Sequence, residues 1–155
     1  MRVPLRSSLH SVPLDAPVFR RDRLIRFSDC DPAGIVFYPQ YFVMLNGLVE
    51  EWVNDALGIG HHTLITERRI GLPTVHLEVD FTAVSRLGDA VTLALQVERL
   101  GGRSLTLQLQ CLGADASLRL RMRQVLVTTS LATHRTLDVP PDLRAAIGHW
   151  QRAAA

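Results

Sequence analysis

Residues 39–57, PQYFVMLNGLVEEWVNDAL, predict one helix that is apolar on most of its sides. Phe42, Leu45, Val49, Trp52 and Ala56 recur at helical spacing and form one stripe. Val43, Met44, Leu48 and Val53 fall outside that stripe, so one flat layer cannot cover the helix. Pro39 suits the first turn, where a missing N–H costs nothing, and Gly58 suits the position just past the end. Gly47, inside the helix, costs roughly 1 kcal/mol relative to Ala, which points to a close approach by another backbone. After Gly71 the period changes. Residues 74–84 alternate Val75, Leu77, Val79 and Phe81 against His76, Glu78, Asp80 and Thr82. Residues 90–100, 104–112 and 116–130 read as further strands, punctuated by Gly88-Asp89, Gly101-Gly102 and Gly113-Ala114-Asp115. RLIRFS at 23–28 reads as a first strand, His61 to Arg69 as a short helix or loop, and the segment after Pro140-Pro141 as a last short helix. The layout is α+β: a strand, a buried helix, then four or five antiparallel strands with the helices on one face. A helix apolar on most sides is satisfied only if that sheet curls around it.

A chain of 155 residues makes one domain with a core of its own. We expect residues 1–20, interrupted by Pro4, Pro13 and Pro17, to be an extension and residues 21–155 to be the domain. No run approaches the eighteen or so apolar residues of a membrane helix, and the start lacks a signal peptide's apolar stretch. Cys30 and Cys111 could pair, but the expectation is two reduced thiols in a cytoplasmic protein. A net charge of +2 supplies no global field to recruit nucleic acid or a membrane. His61, His62, His76, His134 and His149 show no zinc spacing, so no metal is expected. A Gly-x-Ser-x-Gly elbow is missing, as is a glycine-rich phosphate loop, and no cofactor is expected.

The chemistry is concentrated in residues 29–41, DCDPAGIVFYPQY, between the first strand and the long helix. Pro32 biases Asp31 toward extended backbone, and Gly34 allows a turn closed to other residues. Asp29 and Asp31 fall just ahead of a helix start, where free N–H groups and the dipole favour an anion. Such donors stabilise a developing oxyanion, and a fixed carboxylate can attack a carbonyl or take a proton from water. Taken alone, Asp31 reads first as an N-cap or turn residue, and it is the surrounding run that favours a catalytic one. Asp29 reads as structural, holding the loop through backbone N–H groups. Tyr41 reads as a core aromatic with a satisfied hydroxyl, and Glu50 and Glu51 as a solvated or interface face.

The run resembles the signature of the 4-hydroxybenzoyl-CoA thioesterase family, hot-dog proteins that hydrolyse acyl-CoA thioesters. GLPTVHLEVDF and SRLGD, after the helix, extend the resemblance over roughly residues 22–138. It implies a hot-dog fold, a long central helix wrapped by a curved antiparallel sheet. It implies that Asp31 is the catalytic carboxylate, as nucleophile or general base, and that the Tyr38 backbone N–H polarises the thioester carbonyl. Gly34, Val36 and Phe37 are then expected at the substrate, with Arg86 and Arg103, among other arginines, as candidates for CoA phosphates. It also implies that two chains form one continuous sheet with active sites at their boundary, as a homodimer or a dimer of dimers. The acyl group is aromatic or of short or medium length. The chain departs from the aromatic-specific pattern in its longer N-terminal extension and in ERLGGRSLT, which has no dense Arg/Lys cluster.

Two other functions fit the same layout. A hot-dog hydratase or dehydratase would use a His near the helix, and no His lies between residues 29 and 60. A non-catalytic acyl-CoA-binding module would hold the ester without turning it over.

Overall fold

The structure is a computed structural model that describes residues 16–153. Residues 1–15, most of the expected extension, lie outside the described residues, as do 154–155.

The long helix forms as expected but ends differently. α1 runs Tyr38–Glu51, and five residues of wider π turn, Trp52–Ala56, continue it. The wider turn carries both Trp52 and Val53 into full burial. Gly58 follows with φ +64°, the left-handed backbone that glycine adopts without strain. The close approach expected at Gly47 does not occur within one chain, since a Cβ there would meet open space. One wide turn, Thr63–Glu67, occupies the stretch read as a short helix or loop.

One antiparallel sheet of five strands wraps α1, in the order β1-β4-β5-β6-β3. Its members are β1 (Phe19–Leu24), β3 (Thr74–Phe81), β4 (Ala90–Leu100), β5 (Ser104–Gly113) and β6 (Leu118–Val127). A separate pair joins β2 (Ile70–Gly71) to β7 (Thr129–Ser130), so the long strand expected over 116–130 is broken at Thr128. α2 (Pro141–Ala153) closes the chain, and its Trp150 ring meets Trp52 edge-to-face at 5.6 Å.

The first strand sits earlier than its apolar residues suggest. It begins at Phe19, inside the expected extension, and residues 27–29 form a short 3-10 turn instead of strand. The charged run RRDR can be strand because β1 lies at the edge of the sheet. Arg21 pairs with Glu51 and Asp55, and Arg23 with Glu51, all on the helical stretch behind it.

The inner face follows the period-2 reading closely. Val91, Leu93, Leu95 and Val97 of β4 stand beside Leu105, Leu107, Leu109 and Cys111 of β5, all buried against the helix. Burying such side chains removes about 25 cal/mol per Å² of apolar area from water. β3 differs: Val75, Leu77 and Phe81 are 41–58% exposed. A bulge between Thr74 and His76 shifts its register against β6.

Candidate active site

The loop between β1 and α1 is closed by its own backbone. Phe37 N–H donates to Asp29 O at 2.9 Å, Asp31 N–H to Ile35 O at 3.1 Å, and Gly34 N–H to Asp31 O at 2.9 Å. Gly34 takes φ +74° at the tip, the conformation its lack of a Cβ permits. The Asp31 side chain turns back on this loop, accepting the Ala33 N–H on Oδ1 at 2.8 Å. That Asx turn fixes the carboxylate and leaves its second oxygen with no donor among the described residues. Asp29 serves the loop instead. Its Oδ2 accepts the Arg26 N–H at 2.8 Å.

Beyond the loop, α1 starts at Tyr38 with Phe37 as N-cap, and no side chain caps it. Pro39 has no N–H, and the Phe37 amide is already used by Asp29. The Tyr38 N–H therefore stands at the positive end of the helix without an intrahelical acceptor. A cleft of about 380 Å³ opens here, lined by Val36, Tyr38 and Tyr41 on one side and by Phe81, Thr82, Ala83 and Val84 on the other. Asp31 stands on the loop that supplies this wall and is not itself part of the wall.

A second layer holds the loop in place. Val36 N–H donates to Ser85 O at 2.9 Å, and the Tyr41 hydroxyl donates to Ser85 Oγ at 2.9 Å. Ser85 is fully buried and Tyr41 nearly so. Burial pushes the Tyr41 phenol up, against the opposing pull of its Ser85 bond. Burial likewise pushes the neighbouring Cys111 thiol up to about 11. Partial desolvation and the nearby Asp29 and Asp31 charges raise the Cys30 thiol. Both cysteines are free and stay protonated at neutral pH, so neither is a ready nucleophile.

Arg86 lies across an isolated bridge from Ile35, beside the loop. Asp89 accepts the Arg86 backbone N–H at 2.8 Å and an Arg119 contact at 3.1 Å; Arg119 also donates to Val84 O at 2.6 Å. The Arg86 amide first, and the Arg119 guanidinium after it, hold the Asp89 carboxyl below its usual range. Arg103 is not brought to this place within one chain. It sits past the far end of β4, roughly 30 Å of strand away, and pairs with Asp138 at 2.8 Å. Glu51 is committed to Arg21 and Arg23, while Glu50 faces solvent. His76 is exposed, with Glu78 at 3.1 Å. Among the described residues no group of His, Cys, Asp and Glu could hold a metal ion, and no helix is long and apolar enough to cross a membrane.

Sequence reasoning missed Ser85, which hides in AVSRLGD as an ordinary loop serine, and Arg119, which alternates with Arg121 and Arg123 on a strand face that reads as partly solvent-facing and partly interface. It also missed Gln124. A second hollow, of about 350 Å³, lies farther along α1, lined by Phe42, Val43, Asn46, Thr74, Leu77, Met122 and Gln124. The signal for Gln124 was present: it is the one polar residue in the inner period Leu120, Met122, Gln124, Leu126.

A single helix wrapped by an antiparallel sheet, with a carboxylate turn at its N-terminal mouth, is the hot-dog arrangement. The chain belongs to the Thioesterase-like superfamily, whose family model matches residues 25–147. It is 33% identical over 84 residues to a 1,4-dihydroxy-2-naphthoyl-CoA hydrolase of Synechococcus elongatus, and the match covers 54% of this chain and 61% of that relative's length. A 4-hydroxybenzoyl-CoA thioesterase of Pseudomonas sp. strain CBS-3 is 25% identical over 125 residues, covering 76% of this chain and 89% of the relative. Among solved structures, a 1,4-dihydroxy-2-naphthoyl-CoA thioesterase from Synechocystis superimposes with TM-score 0.77 at 23% identity, covering 85% of this chain and 96% of that one. A Staphylococcus aureus protein in complex with CoA superimposes with TM-score 0.80 at 17% identity, covering 92% and 89%. At these identities the structural likenesses speak for the fold.

Proposed function

We propose that the protein hydrolyses an acyl-CoA thioester to a free acid and CoA, with Asp31 as its catalytic carboxylate. The observation that carries this is local. A carboxylate pinned by the Ala33 amide stands on the loop that leads into an uncapped helix start, and an open cleft lies at that start. The thioester oxygen would take the Tyr38 N–H at the positive end of α1, where donors meet charge as it develops. Asp31 then acts in one of two ways. As base it takes a proton from water while the water oxygen bonds to the carbonyl carbon; the C–S bond breaks and CoA leaves as thiolate. As nucleophile it bonds to that carbon itself, expels the thiolate and leaves a mixed anhydride for water to open. A thiolate leaves readily, so neither route needs a strong general acid. Val36 and Phe37 carry the loop, Gly34 permits its turn, and Arg86, exposed beside Ile35, would meet a CoA phosphate. Arg103, engaged with Asp138 at the far end of β4, is a weaker candidate within one chain. The relatives named as CoA hydrolases and thioesterases support this reading of the chemistry.

The working form is a homodimer joined through β3, with pairs of dimers as a further step. β3 is an edge strand with exposed apolar side chains, and such an edge invites another strand unless it is covered.

The test is Asp31→Asn, assayed by thiol release across benzoyl, hydroxybenzoyl, phenylacetyl and aliphatic CoA esters. We expect turnover to fall at least about a hundredfold while the fold persists. Near-normal turnover would remove Asp31 from its role. Enoyl-CoA hydration without thiol release would favour the hydratase reading instead.

A further inference from the structure

Arg119 sits where β6 breaks its pattern. Cys111 of β5 stands opposite Leu120, and Leu112 stands opposite Leu118, so Arg119 is an extra residue between two paired ones. Such a bulge bends its strand and re-aims a side chain. Arg123, on the regular part of β6, pairs with Glu98 and Glu78 of the neighbouring strands. Arg119 turns instead to the loop that follows β3, and its side chain is only 17% exposed. The guanidinium is seated against the Gly113 backbone, where an added Cβ would stand 2.5 Å from Nη2. Its Nε donates to Ser117 Oγ at 3.1 Å.

The loop it reaches is the far wall of the cleft. Arg119 O accepts the Thr82 and Ala83 N–H groups at 3.0 and 3.3 Å. Nη1 donates to Val84 O at 2.6 Å and to Asp89 Oδ2 at 3.1 Å. Asp89 Oδ2 also accepts the Arg86 N–H at 2.8 Å. One residue thus holds Thr82, Ala83 and Val84 directly, and Arg86 through Asp89.

Ser85 lies between these anchors and is bonded to the opposite side. Its carbonyl accepts the Val36 N–H and its Oγ accepts the Tyr41 hydroxyl, each at 2.9 Å. Val36 stands two residues before Tyr38 and Tyr41 three after it. Ser85, Val36 and Tyr41 are all buried, and buried bonds resist opening because each would leave a polar group unpaired. A continuous set of bonds therefore runs from Arg119 through the cleft wall to both sides of the helix start.

We propose that Arg119 is a positioning residue for the reaction. It fixes the wall at 82–86, and through Ser85 it holds Val36 and Tyr41 so that the Tyr38 N–H meets the thioester oxygen. Arg119 itself touches no substrate. This rests on the acyl-CoA reading of the site given above. Orientation of this kind matters strongly, since a misplacement of about 1 Å can lower a rate about a hundredfold.

The experiment compares wild type with Arg119→Gln in two readouts. One is amide hydrogen exchange by NMR at Val36, with Leu95 in the middle of β4 as the reference for the whole fold. The other is kcat for thiol release from the CoA ester that wild type turns over fastest. Arg119→Gln is expected to speed exchange at Val36 at least about tenfold while Leu95 stays within about twofold. It is also expected to lower kcat at least about tenfold. Equal acceleration at both amides would make Arg119 a general support of the fold and overturn the proposal. Unchanged exchange at Val36 or an unchanged kcat overturns it too. If Arg119→Gln does not fold, Arg119→Lys serves, because it keeps the charge and loses the planar fork that reaches Ser117 and Val84 at once. The same outcomes, several-fold in size, then decide. If wild type releases thiol from no ester, the acyl-CoA reading fails by itself. Exchange then judges Arg119 alone: selective opening at Val36 sustains its hold on the loop, and no such opening sinks it.

Discussion

The sheet has two edges, and they are finished in different ways. β1 presents FRRDRL, and its arginines are tied back to Glu51 and Asp55 on the helical stretch behind. Such charge blunts an edge against pairing. β3 presents exposed Val75, Leu77 and Phe81, close to the cleft and to the second hollow. One edge is complete within the chain. The other leaves apolar area in water, which the proposed dimer would cover. The cleft belongs to the unfinished side: Phe81 lines the cleft and Leu77 the hollow, so the proposed assembly and the proposed chemistry would share residues.

The strongest way to break this comparison is to charge β3. Leu77→Lys with Phe81→Lys is expected to weaken self-association about a hundredfold or more, as losing buried interface anchors does. Sedimentation velocity reads it, and turnover should fall in step; an unchanged association would mean the chains meet elsewhere. The centre of the sheet should behave in the opposite way. Leu95→Ala, at a fully buried position on β4, should cost about 2–5 kcal/mol in denaturant unfolding with little change in association once folded. The β1 edge should matter least. Arg21→Ala with Arg23→Ala removes partly exposed ion pairs and should cost about 1 kcal/mol or less, leaving oligomer size untouched. A larger loss there would show β1 to be part of an interface.

Acid should act between the edges, at the start of β4. The Arg86 amide first, then Arg119, holds the Asp89 carboxyl below its ordinary value of 3.8. A carboxyl depressed on folding adds stability above the unfolded value and loses it as pH falls through the folded one. Melting temperature should therefore hold from neutral pH down to about 4 and fall below that. Asp89→Asn should flatten the fall while lowering stability at neutral pH. An identical acid limb in that variant would assign it to other carboxylates, such as Asp142, which Arg68 holds low in the same way.

Most of the fold was legible because its signals are local. Strand β4 has the bounds that its alternation predicts, and β5 extends only one residue past its expected end. Both are flanked by glycine turns, and each buries an alternating apolar face against the helix. The candidate loop was legible for a similar reason. Asp31, Gly34, Val36, Phe37 and Tyr38 are adjacent in sequence, so their grouping needs no tertiary information. β1 was misplaced because charged residues mask a strand whose partners lie far along the chain. The break at Thr128 was missed because it follows from a bond to Arg103 O, 25 residues away.

The periods can be read from the residues in order: one helix too apolar for a flat sheet, the alternating strands that wrap it, and a carboxylate turn at its mouth. These depend on bonds and side-chain directions within a few residues. Long-range packing sets which polar groups lack partners among the described residues and which edges are left open. It put Ser85 under Tyr41, separated Arg103 from the loop, and used one bulge to bring Thr74 to Gln124. The reason is that burial and register are properties of chain segments brought together across long separations, and no local pattern encodes where an extra residue will shift one strand against another.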